Sequence, residues 1–255
     1  MKLLKFLIQS NIWIALGAAL LATTTFIINE LEIQFDFLFF TFFTTLFSYI
    51  FQRIARIKIL KKHLPDSWIV NNKRTAYVLL GVSLLGAIST IPVFQSPFSL
   101  FWILLLGFIS AGYSFKNFRN IAYIKILLIS TSWAIACGVL PLIISATYTY
   151  QSIALNFGWI FFYVLAITIP FDIRDINIDE ENKKTLPQWL GITNSKLVGA
   201  FALDLSLVCL FFLCNWLLLL VFFLAYLFAA YLLYNADPNK SNFYYSFWVD
   251  GHLIL

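Results

Sequence analysis

Long apolar runs separated by short polar segments form the dominant pattern of this chain of 255 residues. Most runs come close to the roughly 20 residues that an α-helix needs to cross a bilayer. The pattern therefore predicts an all-α, polytopic membrane protein with a single membrane domain over residues 1–255. The nine runs are 6–28, 37–51, 75–94, 98–115, 121–147, 153–171, 197–214, 216–234 and 243–255.

Composition supports the same class of protein. Hydrophobic residues make up 61% of the chain and charged residues 11%. A water-soluble domain has about 25% charged residues, so a soluble fold of this composition would leave large apolar patches exposed.

The charged residues predict how the chain is oriented. If the N-terminus is cytoplasmic and each run crosses the membrane once, all 17 Lys and Arg residues fall on the cytoplasmic side. The first loop on the other side carries Glu30, Glu32 and Asp36. Because cytoplasmic loops are enriched in Lys and Arg, this split favours nine transmembrane helices with a cytoplasmic N-terminus. We expect a bacterial inner-membrane protein in contact with membrane lipids, with its active face cytoplasmic and no nucleic-acid partner.

Three carboxylates follow the sixth apolar run, at Asp172, Asp175 and Asp179. On a continuous helix their spacing would place them within a sector of about 60°. Carboxylate oxygens bind hard cations, and Mg²⁺ usually takes one or two of them together with phosphate oxygens. Arg174 lies on a different side, where it can pair with a phosphate or a neighbouring carboxylate. A solvated, charged loop between two spans would show a similar pattern, and spacing alone does not separate the two interpretations.

The segment from Asp172 to Asp179, followed by Lys-Thr-Leu-Pro-Gln-Trp-Leu-Gly at 184–191, resembles the second aspartate-rich motif of the UbiA superfamily of intramembrane prenyltransferases. These proteins are helical bundles of nine spans that transfer a prenyl group from an isoprenoid diphosphate to an acceptor. The resemblance implies that Asp172, Asp175 and Asp179 bind Mg²⁺ against the prenyl diphosphate, with Asp172 and Asp175 catalytic.

The chain departs from that family at the end of its second run. The family has a first aspartate-rich motif there, but this chain has no Asp or Glu between Asp36 and Asp66. One hypothesis is that arginines contact the diphosphate directly, so that one Mg²⁺ is needed rather than two. The other is that the arginines only anchor the helix end at the membrane surface. The candidate diphosphate-binding residues of this segment are Tyr49, Gln52, Arg53 and Arg56.

A third basic group lies between the fourth and fifth runs. Lys116 and Arg119 are candidate diphosphate ligands, as is Arg174, and Lys125 at the start of the fifth run is a catalytic candidate. Lys125 can equally extend along the helix so that its charge reaches the membrane surface. Asp204 and Asp250 lie inside apolar runs, where ionisable residues are functional candidates, and the resemblance gives neither a role.

The sequence thus favours a Mg²⁺-dependent prenyltransferase of the UbiA type that uses a prenyl diphosphate and a small, lipophilic acceptor, for example an aromatic one. The alternative is a catalytically inactive relative that binds prenyl lipids or a protein partner. A transporter is less consistent with the pattern, because its polar site would lie near the middle of the bilayer. The acceptor and the prenyl chain length remain open.

Overall fold

A computed structural model describes residues 2–59, 68–94, 96–114, 124–177 and 185–254. These residues form a helical bundle without strands in the described segments. The helices are α1 (Lys2–Gln9), α2 (Ile12–Ile28), α3 (Phe35–Ile59), α4 (Trp68–Asn71), α5 (Lys73–Ser89), α6 (Pro97–Ser114), α7 (Ile124–Ile144), α8 (Tyr150–Arg174), α9 (Leu186–Leu213), α10 (Trp216–Tyr234) and α11 (242–254).

Six described helices are long and apolar enough to span a membrane: α3, α5, α7, α8, α9 and α10. The pair α1 and α2 adds a seventh candidate span, bent by 75°. Every predicted apolar run overlaps one of the helices or this pair, so the predicted all-α membrane fold is confirmed. The count of nine crossings and the cytoplasmic N-terminus stay predictions.

The bend between α1 and α2 corrects the sequence analysis, which treated residues 6–28 as one uninterrupted run. Asn11 has a φ of 66°, in the left-handed region. Asn enters this region more easily than most residues, and there it interrupts a helix. Both sides of the break are apolar, so hydropathy alone does not reveal it.

Helix α8 lies at the centre of the bundle and packs against α7, α9, α10 and α11. Trp159, Ile160 and Ile169 on α8 are fully or almost fully buried. A helix surrounded by other helices needs apolar residues on most of its faces, as α8 has. Its start is fixed by Thr149, whose Oγ1 accepts the backbone N–H of Ser152 at 3.0 Å.

Helix α7 contains a π-helical turn, Ala134–Val139, two residues before Pro141. Proline has no N–H, so the carbonyl of Cys137 loses its usual partner four residues ahead. Thr25 of α2 replaces that partner and donates its hydroxyl to the Cys137 carbonyl at 2.7 Å. Gly138 lets the same turn approach α8, because a Cβ there would lie 2.6 Å from the Asn156 carbonyl oxygen. The irregular turn thus joins α2, α7 and α8.

The Thr-Leu-Pro-Gln-Trp-Leu-Gly segment forms the start of α9. The backbone N–H of Thr185 donates to Oε1 of Gln188 at 3.0 Å, and Pro187 lies in the first turn, where its missing N–H costs nothing. Gly191 has φ 79° and ψ 163°, a conformation almost restricted to glycine, and it kinks the helix. The motif therefore has a structural basis: it begins α9 and changes its direction one turn later.

Helix α11 closes the bundle against the N-terminal helices. The rings of Trp13 and Phe247 are stacked with centroids 5.4 Å apart. Gly251 permits this contact, since a Cβ there would lie 3.0 Å from Nε1 of Trp13. Both ends of the described chain therefore meet beside α8.

Large apolar side chains cover the outside of the bundle. Leu85, Leu104, Phe108 and Trp216 are 68–77% exposed. Surfaces of this kind are stable in lipid rather than in water. The fold is that of an integral membrane protein.

Candidate functional site

The carboxylate of Asp172 lies in the last turn of α8 and is 2% exposed. Lys125, in the first turn of α7, places its Nζ atom 2.5 Å from Oδ1 of Asp172. Removing a carboxylate from water is costly unless a cation compensates its charge, as Lys125 does here. The fold thus brings together two of the predicted catalytic residues.

The neighbouring carboxylate, Asp175, forms a bidentate ion pair with Arg174. Nε of Arg174 donates to Oδ1 at 2.7 Å, and one terminal nitrogen donates to Oδ2 at 3.0 Å. The guanidinium also lies over the rings of Phe171 and Tyr245, with its Cζ 5.3 Å and 5.5 Å from the ring centroids. Of the two partners expected for Arg174, this structure shows the neighbouring carboxylate.

The expected helical stripe of three carboxylates is interrupted. Helix α8 ends at Arg174, and Asp175 caps it with φ −88° and ψ 2° before a turn that runs to Asn177. The regular spacing of a helix therefore stops at Asp175. Asp179 lies outside the described residues.

Arg53 near the end of α3 reaches the N-terminal part of the bundle, where one of its nitrogens donates to the Gln9 carbonyl at 3.4 Å. Tyr49 and Gln52 are half-buried on the same helix, and Tyr49 packs against the main hydrophobic core. The side chain of Arg56 lies outside the described part of the structure, as do Lys116 and Arg119.

Asp250 on α11 lies near the ends of α3 and α8. Its half-buried carboxylate is within electrostatic range of Arg174 and Arg53, and in the described part of the structure it forms no ion pair with either of them. Arg53 and Arg174, from the second and sixth apolar runs, therefore lie in one region of the bundle. The sequence marked Asp250 only as an ionisable residue in an apolar run, because its partners are far away along the chain.

His252, two residues after Asp250, has its partners on other helices. Nδ1 of His252 bonds the Tyr163 hydroxyl, and Nε2 lies 2.8 Å from the Ala225 carbonyl oxygen. His252 thus links α11 to α8 and α10 within the bundle.

A small apolar cavity begins two residues before Asp172 on α8. Pro170 and Ala166 line it from α8, Leu203 from α9, Leu233 from α10 and Val249 from α11. The charged end of the bundle therefore lies next to an apolar interior.

The possible metal ligands of the site can be compared with the coordination that Mg²⁺ requires. Within the described segments, no three His, Cys, Asp or Glu side chains group closely enough to hold a metal. Mg²⁺ usually takes only one or two carboxylates and completes its six ligands with phosphate oxygens and water. Asp172 and Asp175 therefore fit a single ion shared with a phosphate ligand, rather than an ion enclosed by protein.

Two solved structures have the same fold. One is the apo structure of a UbiA homolog from Aeropyrum pernix K1, with a TM-score of 0.71 and 10% identity over 94% of each chain. The other is a digeranylgeranylglyceryl phosphate synthase, with a TM-score of 0.63 and 14% identity over 100% of this chain and 96% of that chain. No protein-family model and no curated protein matches the sequence.

These comparisons place the chain in a class, the membrane proteins with the UbiA-type helical fold. The resemblance noted in the sequence is confirmed at the level of the fold.

Proposed function

We propose that this protein is a UbiA-type prenyltransferase, which moves an isoprenoid group from a prenyl diphosphate to a small, lipophilic acceptor within the membrane. The observation that carries the proposal is the buried Lys125–Asp172 ion pair next to the Arg174–Asp175 pair, at the end of the bundle near which Arg53 also lies. The proposal is supported by the similar fold of a UbiA homolog and of a digeranylgeranylglyceryl phosphate synthase.

In this proposal the cations of the site exchange partners when substrate binds. Lys125 and Arg174 transfer hydrogen bonds from Asp172 and Asp175 to oxygens of the diphosphate. Arg53 adds a third positive charge, with Gln52 and Tyr49 as hydrogen-bonding residues. Fixed cations in a partly dry site stabilise the negative charge that develops on the leaving group. Arg56, Lys116 and Arg119 are proposed as further diphosphate ligands.

The reaction breaks the bond between C1 of the prenyl group and the diphosphate oxygen, which keeps the electron pair. A nucleophilic atom of the acceptor bonds to C1 and then loses a proton. The apolar side chains packed beside Asp172, such as Pro170 and Ile169, would help to exclude water from the carbon centre, which would otherwise be hydrolysed. We further propose that Asp172, Asp175 and Asp179 hold one Mg²⁺, which would neutralise part of the diphosphate charge.

The first test removes the carboxylates. With the protein in liposomes, Asp172→Ala and Asp175→Ala are expected to lower Mg²⁺-dependent turnover of radiolabelled prenyl diphosphates at least tenfold. Asp237→Ala is the matched control, because this exposed carboxylate follows α10 and its Oδ1 accepts the Asn239 N–H. The control should keep activity within about twofold. Full activity of both site variants would contradict the proposed roles.

The second test concerns the arginine that stands where the family has aspartates. Arg53→Gln should abolish prenyl diphosphate binding, measured by equilibrium dialysis, without changing the unfolding midpoint. Arg74→Gln removes a similarly exposed guanidinium from the start of α5 and should leave binding unchanged. Unchanged binding by Arg53→Gln would show that Arg53 only anchors the helix end.

A second candidate function has its own supporting observation. The end of α3 carries no acidic residue, and Asp172 and Asp175 at the end of α8 already have cationic partners. A protein that binds prenyl lipids or a protein partner without catalysis would need no metal. Binding of prenyl diphosphate with no product for any acceptor tried would favour this candidate.

A further inference from the structure

Asp204 lies on the outer surface of α9, among exposed apolar residues. Leu197, Phe201, Val208 and Phe211 on the same face are 53–63% exposed, and Asp204 is exposed between them. We call these five residues the outer seam. The opposite face of α9, which includes Gly199, Ala202 and Leu210, is packed inside the bundle.

The depth of Asp204 makes its exposure unusual. Lys196 marks the polar end of α9, because its Nζ donates to the Tyr234 carbonyl at the end of α10 at 2.7 Å. Asp204 lies eight residues further along, about 12 Å deeper at 1.5 Å per residue. It is therefore near the middle of a hydrocarbon layer about 30 Å thick.

A carboxylate at that depth is costly when it faces lipid. Insertion measurements give about 2.5–3.5 kcal/mol for a charged residue at the centre of a span. Such residues normally face the bundle interior or pair with another group. Within the described residues, the side chain of Asp204 has no hydrogen bond or ion pair, and Lys196 is bonded elsewhere. A partner from another molecule would offset the cost of this carboxylate in lipid.

The spacing of the outer seam indicates a helix as that molecule. Its positions, 197, 201, 204, 208 and 211, alternate steps of four and three residues. This repeat lets two helices pack along a continuous line, and a single polar residue within it selects the partner. Lipid headgroups lie at the membrane surface and do not reach this depth.

We propose that the outer seam binds a transmembrane helix of a different protein, which carries a basic side chain near the middle of the membrane to pair with Asp204. Charge complementarity argues against a second copy as the occupant. All 17 Lys and Arg residues belong to the predicted cytoplasmic ends, and His252 is buried against Tyr163. Two copies related by symmetry would place two carboxylates together. This inference does not depend on the proposed transferase activity.

A synthetic probe tests the seam without knowledge of the natural partner. The probe is a Leu-rich single-span peptide with one central Lys, and its control has Leu at that position. Energy transfer between labelled peptide and labelled protein in liposomes reports their association. The wild-type protein should bind the Lys peptide at least tenfold more tightly than the Leu peptide. Asp204→Leu and Asp204→Asn should each reduce that preference to less than twofold.

A carboxylate placed on another helix tests whether the position of Asp204 in the outer seam matters, or only the presence of a negative charge. Leu220→Asp in the Asp204→Leu background puts a carboxylate on α10, at a position that is 50% exposed. This variant should not recover the preference for the Lys peptide. Full recovery, or equal binding of both peptides by the wild type, would overturn the proposal. So would energy transfer between protein copies that disappears in Asp204→Leu, because a second copy would then be the occupant.

Discussion

Asp172 is the most buried carboxylate of the site, and its charge is compensated by Lys125 from another helix. The two residues have unequal exposure, since the lysine side chain is 30% exposed and the aspartate side chain 3%. Loss of the lysine therefore removes the cation that compensates a buried charge, whereas loss of the aspartate leaves a cation that water can still reach. Replacing the lysine should therefore destabilise the fold more than replacing the aspartate.

This asymmetry gives a stability prediction. Lys125→Met should lower the free energy of unfolding by about 3 kcal/mol, a value typical of breaking a buried pair from one side. Asp172→Asn should cost less, and the double variant should recover most of the stability lost in Lys125→Met. Denaturant titration in detergent measures all three. A double variant no more stable than Lys125→Met would show that Lys125 acts through other contacts.

At the scale of single helices, the positions where helices begin, end or break are the features that hydropathy predicts least well. Apolar runs located the helices because a span requires a nearly fixed length of apolar residues. They did not reveal the break at Asn11 or the end of α8 at Arg174, because backbone geometry rather than hydropathy decides both. The Thr-Leu-Pro segment was recognised as a pattern, and the structure shows what it builds: the capped start of α9 and the kink at Gly191.

The kink at Gly191 can be tested with a matched pair of substitutions. Gly191→Ala should destabilise the protein by about 1–3 kcal/mol, because its backbone conformation is strained for any residue with a Cβ. Gly81→Ala in α5 is the control: a Cβ there meets nothing within 4 Å, and its φ is ordinary. The control should be neutral or stabilise the helix by up to about 1 kcal/mol. Equal effects of both changes would argue against strain at Gly191.

For the whole molecule, the sequence predicted the membrane fold, and it named Asp172 and Lys125, which the structure brings together. Asp172 and Lys125 were identified because a motif or a helix end marked them. The roles of Asp250 and Tyr245 were not foreseen, because these residues reach Arg174 only when α11 packs beside α8. Such contacts depend on how helices associate, which apolar composition does not encode.

The orientation of the whole bundle is a further prediction. In a background with Cys137, Cys209 and Cys214 replaced by Ala, Glu32→Cys should react with a membrane-impermeant maleimide added outside intact cells. Ser241→Cys, in the segment between α10 and α11, should react only in inverted vesicles. This follows from the placement of Lys and Arg on the cytoplasmic side. The reverse labelling pattern would contradict a cytoplasmic N-terminus.

The ion pairs of the site limit which solutes can bind to the protein when it holds no substrate. Within the described residues, Lys125 is paired with Asp172 and Arg174 with Asp175, so each of these charges already has a partner of opposite sign. A lone phosphate would have to displace a carboxylate, and a lone divalent cation would have to displace an ammonium or guanidinium group. A phosphate and a divalent cation that bind together avoid both losses. The lysine and arginine then bond to the phosphate, and the carboxylates that they release bind the metal ion. In the proposed enzyme, substrate and metal should therefore strengthen each other's binding by the same factor.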